Sequence, residues 1–244
     1  YEVMPSLVGS EMCIRDREEG GKPFLTDCNT MYPGSRKNAL EHLYCAWENG
    51  FTPMTVGCPV LIGDGLKGTD DVAVPVVGGE YVKEAKIGRA VMDADVFISL
   101  SHFKGHETTG FGGAIKNIGM GCGSRAGKAE QHSNGKPSID AARCRGCRKC
   151  RRECANDGLV FDSETGKMTV DLAHCVGCGR CLGACNFDAI EFREDDAVEV
   201  LNRRMAEYAK AVVDGRPHFH VSLIVDVSPV SYTHLRAHET RHDL

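Results

Sequence analysis

The sequence predicts an α/β fold, a parallel or mixed sheet with flanking helices, into which a small cysteine-rich α+β module is set. Three observations predict it. Strand-like runs alternate with helical patterns along the first half of the chain. Two cysteine runs of identical spacing follow, Cys144-x-x-Cys147-x-x-Cys150-x-x-x-Cys154 and Cys175-x-x-Cys178-x-x-Cys181-x-x-x-Cys185. A helix and a strand then return after the second run, so the sheet resumes where the module interrupted it.

Pro23-Phe24-Leu25-Thr26-Asp27 reads as a short buried strand. Ser35 then caps a helix whose apolar positions Ala39, Leu40, Leu43, Ala46 and Trp47 recur at helical spacing until Asn49-Gly50. Pro59 to Ile62 is the next strand, and Val72 to Lys86 is a hairpin turned at Gly78-Gly79. After the Asp93-Ala94-Asp95 turn, Val96-Phe97-Ile98-Ser99-Leu100 suits a central parallel strand. Residues 101–117 follow as a glycine-rich loop, with a helix beginning at Ala114. Gly119 to Lys128 prolongs the basic, glycine-rich character as a mobile stretch. In the module, each cysteine run leads into a strand, Gly158 to Phe161 and Ala189 to Phe192, and Met168-Thr169-Val170 precedes the second run. Val198 to Val213 is an amphipathic helix with Val198, Leu201, Met205, Tyr208, Ala209 and Val212 on one stripe, and His218 to Asp226 is a strand.

The cysteine spacing points to a pair of 4Fe–4S clusters. Three thiolates on one tight loop grip three irons of a cubane, and the fourth cysteine reaches the cluster held by the other loop. Cys144, Cys147, Cys150 and Cys185 are therefore assigned to one cluster, and Cys175, Cys178, Cys181 and Cys154 to the other. A zinc site needs one tetrahedral set rather than two matched runs, and disulfides do not require the repeat. The module, residues 137–195, is thus expected to be an inserted two-cluster module of the bacterial ferredoxin type. Ala155 and Asn186 stand where proline commonly follows the fourth cysteine. Arg143, Arg145, Arg148, Lys149, Arg151 and Arg152 crowd the first run, favouring a reduced cluster and an acidic docking partner.

The second candidate site lies at the end of the strand closing at Leu100, where α/β proteins gather ligands. Gly110, Gly112 and Gly113 let backbone N–H groups approach an anion, and a helix begins at Ala114. His102, Lys104, His106 and Lys116 supply proton donors and positive charge. His106 and Lys116 are the candidate catalytic pair; Gly110, Gly112, Gly113, Lys104 and His102 are the candidate cofactor-binding residues.

The two ends read differently. Back-translating Ser6 to Asp16 with one choice of codons and reading the complementary strand in frame spells Val230 to Thr240. Residues 1–17 and 230–244 are therefore expected to be translated sequencing adapter rather than native protein. What remains is an α/β domain over 18–136, truncated at its N-terminal side, the module over 137–195, and the domain continued over 196–229, truncated at its C-terminal side. The net charge of −5 offers no basic surplus for nucleic acid. No apolar run approaches the ~20 residues of a membrane helix. Outside the two runs, Cys28, Cys45, Cys58 and Cys122 are scattered without a pairing pattern, which is cysteine usage of a reducing, cytoplasmic compartment.

Through Phe24-Leu25-Thr26-Asp27-Cys28-Asn29-Thr30, Ser101 to His106 and Gly110 to Gly121, the chain resembles a family of ferredoxin-containing proteins called domain of unknown function 362. That resemblance implies the fold and the clusters rather than a reaction. A more distant similarity is to the lactate-racemase family, in which a histidine is followed by Gly-Phe-Ser-Gly-Gly-Arg-Lys. It implies that His106 moves a proton at a hydroxy-acid carbon and that Lys116 anchors a cofactor or substrate. This chain departs from it in having Gly112 at the serine and Ile115 at the arginine. The function expected is that of an iron–sulfur protein, a possible oxidoreductase, passing electrons between a ferredoxin or reductase partner and an anionic small molecule held near His106 and Lys116. A pure ferredoxin-type carrier, and an isomerase with structural clusters, are the alternatives.

Overall fold

In the computed structural model of the chain, residues 12–31, 34–106, 109–133, 136–154, 156–175, 177, 179–192 and 198–224 are described. A short helix, α1, covers residues 12–18. All but its last residue lies in the stretch read as adapter, yet its Cys13 is buried against Val56 and Cys58, with the sulfurs of Cys13 and Cys58 2.8 Å apart. Residues 230–244 lie outside the described part.

β1 (Leu25–Asp27) and β2 (Val60–Ile62) pair in parallel, Leu25 opposite Val60. The crossover between them carries α2 (Ala39–Glu48) and the single-turn α3 (Pro53–Val56). The start of α2 differs from the expectation: its cap is Asn38, not Ser35. The Asn38 side chain accepts from the N–H groups of Leu40 and Glu41, both at 3.1 Å, satisfying first-turn donors that the helix leaves open. Its inward face differs too. Ala39, His42 and Cys45 are buried, while Leu40 and Trp47 face solvent.

β3 (Asp71–Pro75) and β4 (Glu84–Gly88) form the expected hairpin, and α4 (Arg89–Met92) leads to β5 (Phe97–His102). The apolar run of β5 is not buried on both sides: Ser99 and Ser101 face inward, and Ile98 is exposed. The segment expected as a loop after β5 is a second hairpin, β6 (Lys104–His106) against β7 (Gly110–Gly112), with Lys104 opposite Gly112. The stretch expected to be mobile is helical and well packed: α5 (Ala114–Cys122) and α6 (Arg125–Ser133). Ile118, Gly119, Ser124, Arg125, Ala126 and Lys128 are all buried there. Its glycines serve close packing instead of mobility. A Cβ on Gly119 would lie 2.2 Å from the Met205 carbonyl oxygen, and one on Gly127 2.4 Å from that of Lys86.

The cysteine-rich segment is built twice over. β8 (Pro137–Ile139), α7 (Lys149–Arg152) and β9 (Leu159–Asp162) make one half; β10 (Lys167–Val170), α8 (Arg180–Ala184) and β11 (Ile190–Phe192) make the other. β8 pairs with β11 and β9 with β10, both antiparallel. Its own core includes Leu159, Met168, Leu182 and Ile190. α9 (Val198–Val213) follows; Leu201 and Met205 are buried, and Tyr208, Ala209 and Val212 pack in one core with Ala85, Ile87 and Ile118. β12 (His218–Leu223) then pairs in parallel with β5 across the whole cysteine-rich segment. The fold is therefore mixed α/β. Among the described residues its strands form separate parallel and antiparallel pairs rather than one continuous doubly wound sheet.

Candidate metal centres and the Lys104–Lys116 hairpin

The backbone of the cysteine-rich segment repeats at an offset of 31 residues, that from Cys144 to Cys175. The Cys144 N–H donates to the Asp140 carbonyl and the Cys175 N–H to that of Asp171, both at 2.9 Å. The left-handed positions match as well: Gly146 and Gly177, Arg148 and Gly179, Asp157 and Asp188. Those turns curl each cysteine loop around a hollow.

The first hollow is lined by Cys144, Cys147 and Cys150 of one run and Cys185 of the other, with Met168 and Ile190. Cys144, Cys150 and Cys185 are buried, whereas Cys147 is exposed. Burial, with repulsion from Cys185, Cys147 and Cys144, pushes the Cys150 thiol up to about 11. Backbone donors point at these sulfurs: Gly146 and Met168 N–H toward Cys144 Sγ, both at 3.5 Å, and Ala189 N–H toward Cys185 Sγ at 3.4 Å. The second hollow is lined by Cys175 and Cys181 of the second run and Cys154 of the first, with Gly177, Gly179 and Arg180. Cys178 lies outside the described residues. Among the described residues, no three His, Cys, Asp or Glu side chains gather closely enough to hold a single ion.

Cations sit against the backbone of cysteines in both runs. Lys167 donates to the Cys144 carbonyl at 2.6 Å, and Lys136, 31 residues earlier in the repeat, donates to that of Cys175. Lys37, from the loop before α2, donates to the Cys185 carbonyl at 3.4 Å and pairs with Asp188 at 2.9 Å. Arg125, at the start of α6, is fully buried and donates to the carbonyls of Lys67 and Lys37. It passes directly beneath the second cysteine loop. A Cβ on Gly179 would fall 2.7 Å from Arg125 Cδ, and one on Gly183 2.6 Å from its Nη1. Lys67 to Glu153, at 2.5 Å, adds a third tie between the α/β part and the cysteine-rich segment.

Of the residues expected at the second site, Lys104 and Lys116 come together. Both pack over Gly112, where a Cβ would lie 3.3 Å from Lys116 Cδ and 3.8 Å from Lys104 Cγ. Burial lowers both lysines' pKa values; Arg36 adds to the effect on Lys104, and Lys104 to that on Lys116. Gly113 caps α5 with no side chain closing the helix end, and Phe103 stacks on Phe111 with ring centroids 5.3 Å apart. His106, half-buried, accepts a hydrogen bond at Nδ1 from the Thr109 N–H at 3.3 Å, so its neutral form carries the proton on Nε2. His102 is exposed at the end of β5, and Gly110 takes the left-handed turn of the hairpin. The two lysines can hold an anion near the start of α5.

Arg36, Lys37, Arg125, Lys136 and Lys167 were missed by the sequence reading. Only Lys136 and Lys167 left a signal there, because they occupy equivalent places in the repeat. No curated protein and no solved structure matches the chain. One family model does, the domain of unknown function DUF362, over residues 10–241, a span that reaches into both ends of the chain. With nearly its whole length matched, the chain belongs to the DUF362 family.

Proposed function

We propose that the chain holds two 4Fe–4S clusters and passes electrons between a redox partner protein and an anionic small molecule held beside Lys104 and Lys116. The observation that carries this reading is the pair of hollows, each drawing cysteines from both runs. Interleaving of that kind is what two cubanes on a duplicated eight-cysteine sequence require. The N–H donors aimed at Cys144 and Cys185 suit thiolates, whose ligation they strengthen. When bound, the clusters supply one-electron chemistry. The residues of the chain do the rest: Lys104 and Lys116 fix an anion over the open end of α5, and His106 presents a proton at Nε2. Thiols that must stay reduced place the protein in a reducing compartment such as the cytoplasm. Among the described residues, no helix is long and apolar enough to cross a membrane.

Anaerobic reconstitution tests the reading. About eight irons and eight sulfides per chain, with visible absorbance bleached by dithionite, are expected. One zinc per chain, or absorbance that dithionite leaves unchanged, overturns it. Lys104→Ala and Lys116→Ala, with clusters intact, should weaken binding of inorganic phosphate used as a probe anion; unchanged binding leaves the ferredoxin-type carrier as the better reading.

A further inference from the structure

The two hollows face different surroundings. Around the first, Cys147 is exposed at the mouth beside Phe187, which is 43 % exposed. Arg145, Arg148 and Lys149 line that mouth, and Arg151 and Arg152 follow on α7, all exposed. The nearby carboxylates are taken by other cations: Glu153 by Lys67, and Asp140 and Glu191 by Arg143. None of the five pairs with a described carboxylate. The second hollow has Arg180 as the one cation among its described lining residues, and it backs onto the α/β part through Arg125 beneath Gly179.

We propose that the face around Cys147 and Phe187 docks an acidic electron-carrier protein, so that electrons arrive at the Cys144/Cys147/Cys150/Cys185 site and leave through the site next to Arg125. The inference rests on the cluster reading and gives it a direction. Charge selects the occupant. Five exposed cations with no carboxylate partner among the described residues, at and beside a small apolar centre, steer an anionic protein to a brief, small contact, as electron-transfer encounters require. The same ring repels a basic carrier. In the step itself the carrier loses one electron and the cluster beside Cys147 gains it; no bond or proton moves.

The experiment uses the reconstituted protein, a dithionite-reduced bacterial ferredoxin with a strongly acidic surface, and reduced methyl viologen as a small cationic donor. At about 10 mM ionic strength, where screening reaches only beyond ~30 Å, Arg151→Glu with Arg152→Glu should slow reduction by the ferredoxin at least tenfold without slowing reduction by viologen. The affinity of the oxidised ferredoxin, measured with no electron transfer, should fall by a similar factor. Both differences should vanish near 1 M salt. The wild type supplies an independent reading, because its rate with the ferredoxin must itself fall as salt rises. A salt-independent rate in iron-loaded wild type overturns the docking proposal alone, as does equal slowing with both donors. A wild type that takes up no iron overturns the cluster reading and this proposal with it.

Discussion

On the cluster reading, replacing Arg125 by glutamine should lower the midpoint potential of the cluster assigned to Cys175, Cys178, Cys181 and Cys154 more than that of its neighbour. The aliphatic stem lies against Gly179 and the guanidinium against Gly183, on either side of Cys181, and no part of the side chain reaches solvent. Reduction adds negative charge to the cluster, so a nearby buried cation favours the reduced form. Taking about 8 Å from guanidinium to cluster centre and an effective dielectric of about 20, the interaction is roughly 2 kcal/mol. At 59 mV per factor of ten for one electron, this is a downward shift of about 90 mV. Dithionite titration followed by paramagnetic resonance, which separates the two clusters, reads it directly. Arg125→Lys, which keeps the charge, should restore most of the shift. Arg145, Arg148 and Arg151, all exposed and screened by water, should together move the first cluster's potential by less when changed to glutamine. Midpoints unchanged within about 20 mV in Arg125→Gln, with both clusters in place, would refute the reasoning.

Cys185→Ser should damage the cluster of Cys144, Cys147 and Cys150 and leave the other nearer normal; site-resolved spectra showing the reverse contradict the interleaved assignment. Burial holds the His42 imidazole down at about 4, below its ordinary value, so the folded chain refuses a proton that the unfolded chain takes. Stability should therefore fall as pH drops from about 6.5 toward 4, by roughly 3 kcal/mol in full, and His42→Gln should flatten that slope in anaerobic urea titrations. Gly119→Ala pushes a methyl group into the Met205 carbonyl between α5 and α9, and should cost about 3 kcal/mol in the same assay. Removing residues 230–244 should leave cluster content and melting temperature unchanged, whereas removing 1–17 uncovers Val56 and Cys58 and should cost about 1 kcal/mol. Sequencing the source locus through the codons of Ser6 to Asp16 tests the adapter origin, which a continuous genomic read refutes.

Much of the architecture could be read from pattern because local signals were strong. The periodicity of α9 and the alternation of the module strands left little freedom, and both lie where they were expected. The residues over 101–128 misled for a physical reason. Glycine marks flexibility when the backbone is free, but it also marks close approach, and Gly119 and Gly127 are occupied on their open side by Met205 and by Lys86 and Tyr208. Helix α2 misled differently. Its leucine and tryptophan fit an apolar stripe, yet His42 and Cys45 take the inward face, and nothing local distinguishes the two. At the candidate sites, the grouping of cysteines was legible because ligand spacing is local in sequence. The cations behind them were not. Lys37 and Arg125 reach the cysteine loops from far along the chain, by contacts that only the tertiary fold creates.

The exchange between the two halves of the cysteine-rich segment bears on how such a protein fails. Each half lends the other its last cysteine, and each lends it a lysine, Lys136 to Cys175 and Lys167 to Cys144. On the cluster reading, neither half can be completed alone. An oxidant that strips one site releases a ligand strand that also frames its neighbour, so the damage spreads across the pair. Under iron shortage a population of these chains should then divide into full and empty molecules, with few in between. A chain that works at all would carry both of its redox centres, and a chain that has lost one would withdraw from electron flow instead of leaking electrons to oxygen.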